Sequence, residues 1–201
     1  MNPFARIVMY FCALVLPPLL AGCGGSDFRA EVTRFHGGDI VPPGGRTVRI
    51  EPLDPETDPI AFSHAAAALG TRLGRLGFAP AGDGAPDLIA RLAIRFVPVE
   101  TAPTEGASIS IGGGSFGRSG GVSGALSFPV GERAPDRGYS REASLILIDA
   151  ARDVRIFEGR AVSLGKTGDR AKVVPLLLDA LFADFPGESG RMIEIRLPAP
   201  D

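Results

Sequence analysis

The stretch Tyr139–Leu164, YSREASLILIDAARDVRIFEGRAVSL, decides the fold of this 201-residue chain. Two segments within it, Tyr139–Ala150 and Val154–Leu164, are rich in aliphatic and β-branched residues, which favour strands. The link between them, Ala150–Asp153, is short enough to join neighbouring antiparallel strands. The stretch therefore predicts an antiparallel β-hairpin.

A helix with clear start and stop signals precedes this hairpin. Asp58 can accept hydrogen bonds from free backbone N–H groups at a helix start, and Pro59 suits the first helical position because it has no N–H. Gly77 is the expected stop. Between them, apolar residues recur at spacings of three and four, which predicts one buried helix face. These residues are Phe62, Ala65, Leu69, Leu73 and Leu76.

A second helix is predicted after the hairpin, over Asp169–Asp184, where Pro175 either belongs to the first turn or kinks the helix. Further strands are indicated by polar–apolar alternation or by aliphatic runs. They are Phe28–Phe35, Arg46–Glu51, Asp87–Val97 (ended by Pro98) and Met192–Leu197. A short hairpin that pairs Ala107–Ile111 with Gly124–Val130 is a further option.

The order of these elements predicts an α+β fold. Adjacent hairpins favour a mostly antiparallel sheet, and two amphipathic helices would cover one of its faces, giving a two-layer sandwich. We expect a single domain over residues 46–198, with a Gly/Pro-rich insert over residues 101–138. Residues 23–45 would form a link that includes a candidate first strand.

The first 22 residues have the features of a bacterial secretory signal. Arg6 precedes an apolar run, Ile7–Leu20, that is too short to span a bilayer comfortably and has the length of a signal-peptide core. The run ends in Leu20-Ala21-Gly22-Cys23, which resembles the bacterial lipobox. This resemblance implies cleavage before Cys23 and acylation of that residue. The alternative is an ordinary secretory signal with a chance cysteine.

Lipidation of Cys23 would hold the protein on a membrane without a transmembrane helix, because several acyl chains together bind firmly. The residue after Cys23 is Gly24 rather than Asp. In Gram-negative bacteria Asp at that position resembles an inner-membrane retention signal. For a Gram-negative host, the sequence therefore predicts the periplasmic face of the outer membrane.

Several segments, taken in order, resemble a known bacterial lipoprotein family. They are Gly74–Phe78 before Ala85–Ile89, Leu145–Ala150 followed by Ile156–Ala161, and Leu181–Pro186. The family is the one catalogued as domain of unknown function 4136, and the resemblance covers about Arg46–Pro186. Phe157 stands where the family often has Trp. The resemblance implies a periplasm-facing envelope lipoprotein, and it transfers no catalytic residue to this chain.

Composition argues against several classes of protein and site. The net charge of −2 lacks the basic surplus with which nucleic-acid-binding proteins meet phosphates. Two cysteines cannot build a disulfide framework or a cysteine zinc site. The two histidines, His36 and His64, are far apart in the sequence and more typical of surface or capping residues than of metal ligands. We therefore expect no metal and no cofactor.

The glycine-rich insert matches two catalytic or binding patterns that lack their usual context. Gly112–Gly117 fits the G-x-G-x-x-G pattern, but further glycines oppose the helix that a dinucleotide site requires. Ser115 and Ser119 each fit G-x-S-x-G, yet both histidines precede them, whereas the α/β-hydrolase order places His after Ser. The acidic run Asp54–Asp58 is better explained as a solvated loop and helix cap than as a calcium loop.

These observations favour a lipid-anchored, periplasm-facing envelope lipoprotein whose domain is a non-enzymatic binding or scaffold module. Its expected partners are the membrane, through the lipid on Cys23, and an envelope protein. The alternative is a weak periplasmic serine hydrolase that uses Ser115 or Ser119. A small apolar ligand bound between the helices and the sheet is a further option, and the oligomeric state is left open.

Overall fold

The structure, a computed structural model, describes residues 27–37, 45–100, 108–111, 126–129 and 137–198. In chain order its elements are β1 (Phe28–His36), β2 (Thr47–Pro52), α1 (Pro59–Arg75), β3 (Ala79–Pro80), β4 (Leu88–Glu100), β5 (Ser108–Ile111), β6 (Leu126–Pro129), β7 (Arg137–Asp149), β8 (Val154–Gly165), α2 (Arg170–Phe182) and β9 (Met192–Leu197).

Seven strands form one open sheet in the order β3-β2-β4-β7-β8-β1-β9. Strand β2 runs parallel to β3 and β4, and all other neighbours are antiparallel. The antiparallel hairpin of β7 and β8, which the sequence predicted, lies near the centre of the sheet. Strand β1 is an inner strand between β8 and β9, so the candidate first strand of the link is part of the sheet.

Both helices pack on the same face of this sheet, which confirms the predicted α+β two-layer sandwich. Alternate residues of β7, among them Ala143, Leu145 and Leu147, point toward the helices and are fully buried. They meet Leu69 of α1 and Leu177 of α2 in a single core. We call this side of the sheet the helix face and the other side the open face.

The caps of both helices follow the sequence signals. The Asp58 carboxylate accepts a hydrogen bond from the Ala61 N–H at 2.8 Å, and Pro59 is the first residue of α1. Asp169 caps α2 in the same way. Pro175 lies inside α2 rather than in its first turn, where it removes the helical hydrogen bond of the Ala171 carbonyl.

The prediction that Pro98 ends the third predicted strand is wrong, because β4 continues to Glu100 and Pro98 pairs with Tyr139 of β7. The reason lies in the length of β2. This strand pairs with β4 only as far as Leu92, so the later part of β4 has an unpaired side in the described sheet. Proline is tolerated there because a missing N–H on that side breaks no ladder hydrogen bond.

The short hairpin within the glycine-rich insert is present in the structure. Strands β5 and β6 pair antiparallel, with Ser108 opposite Pro129 and Ile111 opposite Leu126. They form a separate two-stranded sheet. The residues between them, which include Ser115 and Ser119, lie outside the described residues.

Candidate functional site

Most of the residues that the sequence singles out for anchoring or catalysis fall outside the described part of the chain. Leu20, Ala21, Gly22 and Cys23 precede it. The predicted acylation and the serine-hydrolase alternative therefore both stay predictions. Within the described ranges, no helix has the length and apolarity to cross a membrane.

The acidic run before α1 has the structural role that the sequence predicted. The Asp54 carboxylate accepts from the Glu56 N–H at 3.0 Å, and Asp58 is the helix cap described above. The described residues contain no group of three or more histidine, cysteine or acidic side chains that could hold a metal ion.

A groove between the two helices is the best-formed candidate for a binding site. It encloses about 370 Å³, within the range of about 300–1,000 Å³ that is usual for ligand pockets. Its walls are small or apolar. They are Ala61, Ala65 and Ala68 of α1, Ala171, Val174 and Pro175 of α2, and Ile94 of β4. We call this cavity the helix groove.

Alanine on α1 explains why the two helices leave a groove between them. Where larger side chains would interdigitate with α2, three alanines at spacings of four and three leave space above Ile94. One turn further along, an ion pair closes the gap. Arg72 donates from Nε and Nη2 to the two carboxylate oxygens of Asp179, at 2.8 and 2.6 Å, and Nη2 also donates to the Pro175 carbonyl.

The other end of the helix groove carries polar groups. His64 and Arg170 line it and are exposed, and the Arg170 guanidinium lies 4.6 Å from the centre of the Phe96 ring. The carboxylates of Asp58 and Asp169 cap the two helices at this same end and offset the positive charge of Arg170. The charges around the groove therefore favour neither an anionic nor a cationic ligand. The apolar walls are the dominant feature of the groove.

A second, shallower cavity of about 330 Å³ lies at the end of β1. His36 lies there, stacked on Phe157 with ring centres 6.3 Å apart, and its Nε2 is 3.0 Å from the Gly187 carbonyl oxygen. The two histidines thus lie on different elements and line separate cavities, and among the described residues neither belongs to a group of three or more possible metal ligands.

Two arginines are buried on the helix face, which the sequence analysis did not anticipate. Arg34 of β1 donates from Nε to the Leu181 carbonyl and from Nη2 to the Ala180 carbonyl, both at 3.0 Å. These carbonyls belong to the last turn of α2, where carbonyls lack the usual donor four residues later. The Ala180 carbonyl also accepts from the Ala183 N–H at 3.3 Å. Burial lowers the pKa of Arg34, and the charge of Asp184 partly opposes that shift.

Arg141 of β7 is buried with fewer partners. Its Nη2 donates to the Ser163 hydroxyl at 2.8 Å, its guanidinium lies 5.5 Å from the centre of the Phe28 ring, and its Nε has no hydrogen-bond partner. Burial lowers the pKa of Arg141. The close contact of this guanidinium with Gly165 would exclude any larger residue at that position unless Arg141 moved.

The open face carries a row of charges across its inner strands. Glu142 of β7 accepts from Arg160 of β8 at 2.6 Å, with the glutamate side chain only 7% exposed. On the other side of β8, Glu31 of β1 lies directly opposite Glu194 of β9. Burial, and then the charge of Glu194, raise the pKa of Glu31.

The comparisons with known proteins extend to the fold alone. No protein-family model matches the chain, and the curated proteins include no match, so the resemblance to domain of unknown function 4136 stays a prediction. A PDZ domain protein from Parabacteroides distasonis has a similar structure, with a TM-score of 0.55 and 15% identity over 85% of this chain. The chain spans 39% of the length of that protein.

A weaker structural likeness involves PelC from Paraburkholderia phytofirmans, solved as a dodecamer. Its TM-score is 0.41, with 14% identity over 80% of this chain and 99% of PelC. At these identities, no binding or catalytic residue is transferred from either protein, and the likeness to the PDZ domain protein extends to the fold alone.

Proposed function

We propose that this protein is a lipid-anchored, periplasm-facing envelope lipoprotein whose folded domain is a non-enzymatic binding module. Cys23 would carry the lipids, on the periplasmic face of the outer membrane. The helix groove would be the binding site, and its ligand would be a small apolar molecule. The Leu20-Ala21-Gly22-Cys23 motif after an apolar run is the observation that carries this proposal.

The position of β1 supports a short tether. Phe28, the first residue of β1, comes five residues after Cys23. Five extended residues span at most about 17 Å, so a domain anchored at Cys23 would be held close to the bilayer. An apolar ligand that partitions into lipid would therefore be concentrated near the helix groove.

The anchor is tested by comparing the full chain with Cys23→Ala and, as the matched control, Cys12→Ala. We expect the full chain and Cys12→Ala in the membrane fraction, each with the mass of residues 23–201 plus acyl chains. Cys23→Ala should move to the soluble fraction once its signal is cleaved, with an unchanged circular dichroism spectrum. A membrane-bound parent chain without acyl mass would contradict the proposal.

The helix groove is tested with two exposed alanines of α1 as a matched pair. Ala61 lines the groove, whereas Ala67 is not among its lining residues. An environment-sensitive dye with apolar rings and one sulfonate group, 1-anilinonaphthalene-8-sulfonate, should become fluorescent with the parent chain. Ala61→Phe should remove that signal because the ring fills the cavity, and Ala67→Phe should retain it. Equal signals from both variants would show that the dye binds elsewhere.

A further inference from the structure

Strand β9 forms one edge of the main sheet, and its outer side has no partner strand among the described residues. It pairs with β1 on one side and ends the described strand order on the other. Its six residues, MIEIRL, contain no proline, and the outer edge therefore offers unpaired backbone N–H and C=O groups. Ile193, Ile195 and Leu197 on the helix face are only partly buried.

The charges of β9 are mismatched to its inner neighbour. Glu194 lies opposite Glu31 of β1, and Arg196 lies opposite Arg29 of β1. Like charges directly opposite each other in a sheet are destabilising. Within β9, Arg196 donates from Nε to Glu194 Oε1 at 2.5 Å, so the strand carries its own acid–base pair on the open face.

We propose that β9 pairs antiparallel with β9 of a second copy of this chain, with a two-fold axis at Ile195 that is perpendicular to the sheet. In this register Glu194 lies opposite the partner's Arg196, and Arg196 lies opposite the partner's Glu194. Two rows of charge then run across the joint sheet. In each row, Glu31 and Glu194 of one copy are followed by the partner's Arg196 and the partner's Arg29. Each like-charged pair within a copy gains an opposite charge on its outer side.

The charge pattern selects this register among the symmetric ones. A two-fold axis at Glu194 would place that carboxylate opposite its own copy, and an axis at Arg196 would do the same for the guanidinium. The axis at Ile195 pairs residues 193–197 of each copy. On the helix face it places Ile193 opposite the partner's Leu197, which would cover the partly buried apolar side chains of β9. Such an interface is isologous, as in most homodimers.

The joint sheet also constrains how an anchored dimer can lie. The two-fold axis reverses the strand direction, so the starts of the two β1 strands face opposite ends of the dimer. If each copy is tethered at Cys23 as proposed above, the sheet must lie roughly parallel to the bilayer for both short tethers to reach it. The pairing of β9 itself does not depend on the anchor.

Engineered cross-linking tests the register directly. Opposed residues of an antiparallel pair have Cα atoms about 4.5–5.5 Å apart, within the range of about 4.4–6.8 Å that a disulfide spans. Ile195→Cys in the full chain should therefore give a covalent dimer under mild oxidation. Ile193→Cys is the matched control, because the two copies of that residue would be about 13 Å apart along the strands. Equal cross-linking of both variants, or of neither, would overturn the register.

Charge exchange tests the pairing without introducing a thiol. In sedimentation of the full chain in density-matched detergent, we expect a dimer for the parent and a monomer for Glu194→Arg and for Arg196→Glu. The double exchange, Glu194→Arg with Arg196→Glu, should restore the dimer because it restores both opposite pairs. Circular dichroism checks that each variant is folded. A parent chain that is monomeric at all concentrations would overturn the proposal, as would single variants that remain dimeric.

Discussion

Arg34 and Arg141 are both buried on the helix face, yet their surroundings differ. Arg34 is 1% exposed, and two of its nitrogens donate to carbonyls in the last turn of α2. Arg141 is 5% exposed, donates to one hydroxyl, and leaves its Nε without a partner. The same residue type thus completes a helix end at one site and is incompletely paired at the other.

Burial alone therefore does not measure how much a charged group contributes to stability. At a helix C-terminus, a guanidinium interacts favourably with the dipole and with carbonyls that lack helical donors. Inside a sheet layer, a guanidinium with a missing partner retains much of its desolvation cost. We therefore expect substitutions at the two sites to have opposite signs.

The largest expected effect is that of Arg34→Met. Methionine fills much of the same volume but removes the guanidinium donors of the Leu181 and Ala180 carbonyls, of which Ala180 keeps only the 3.3 Å bond from the Ala183 N–H. Two lost charged hydrogen bonds correspond to about 3 kcal/mol of unfolding free energy. Chemical denaturation measures this loss, with Arg29→Met as the control, because Arg29 is an exposed arginine of the same strand. If Arg34→Met lowers the unfolding free energy no more than Arg29→Met does, the proposed difference between Arg34 and Arg141 is wrong.

A smaller effect of opposite sign is expected for Arg141→Met. The substitution removes one hydrogen bond to Ser163 together with a buried, incompletely paired charge. Replacing such groups by apolar side chains is often neutral or stabilising. We expect the unfolding free energy to stay constant or to rise by about 1 kcal/mol, most clearly when Ser163→Ala is added. A loss comparable to that of Arg34→Met would show that Arg141 is fully paired in solution.

The sequence predicted those parts of the fold that are specified by local signals. Helix α1 has its cap, its proline and its apolar spacing within one continuous stretch, and the hairpin of β7 and β8 has a short connecting link. The continuation of β4 past Pro98 could not be predicted in this way. It depends on where β2 stops pairing, which is a property of the assembled sheet.

The candidate site was less predictable than the fold. Helical spacing marked Ala65 as part of the buried face of α1, but it did not indicate that alanines on this face would leave a groove beside α2. The groove depends on how the two helices pack, which the sequence of α1 alone does not specify. A signal for Arg34 was present, because Phe28, Ala30, Val32 and Arg34 alternate along β1 and share a face. Its partners, 146 and 147 residues away, become visible only after α2 is placed.

We expect the smallest change in unfolding free energy for Glu31→Gln. This substitution tests whether the open face, like the helix face, tolerates a poorly paired charge. Glu194 of β9 lies opposite it, Val162 of β8 lies on its other side, and Arg160 is the diagonal cation on β8. One Glu31 carboxylate oxygen is buried without a partner, and burial followed by the charge of Glu194 raises the pKa of Glu31.

A carboxyl group whose pKa is higher in the folded state binds more protons there, so its contribution is present at low pH and is lost as the pH rises through the folded pKa. Glu31→Gln should therefore raise the unfolding free energy at neutral pH by about 0.5 kcal/mol and leave it unchanged in acid, below the unfolded pKa. Glu188→Gln, at an exposed glutamate paired with Arg191, is the control and should give no such pH-dependent gain. A lower unfolding free energy of Glu31→Gln at neutral pH would mean that the attraction between Glu31 and Arg160 exceeds the repulsion between Glu31 and Glu194. The charges of β9 and β1 would then be balanced within one copy of the chain.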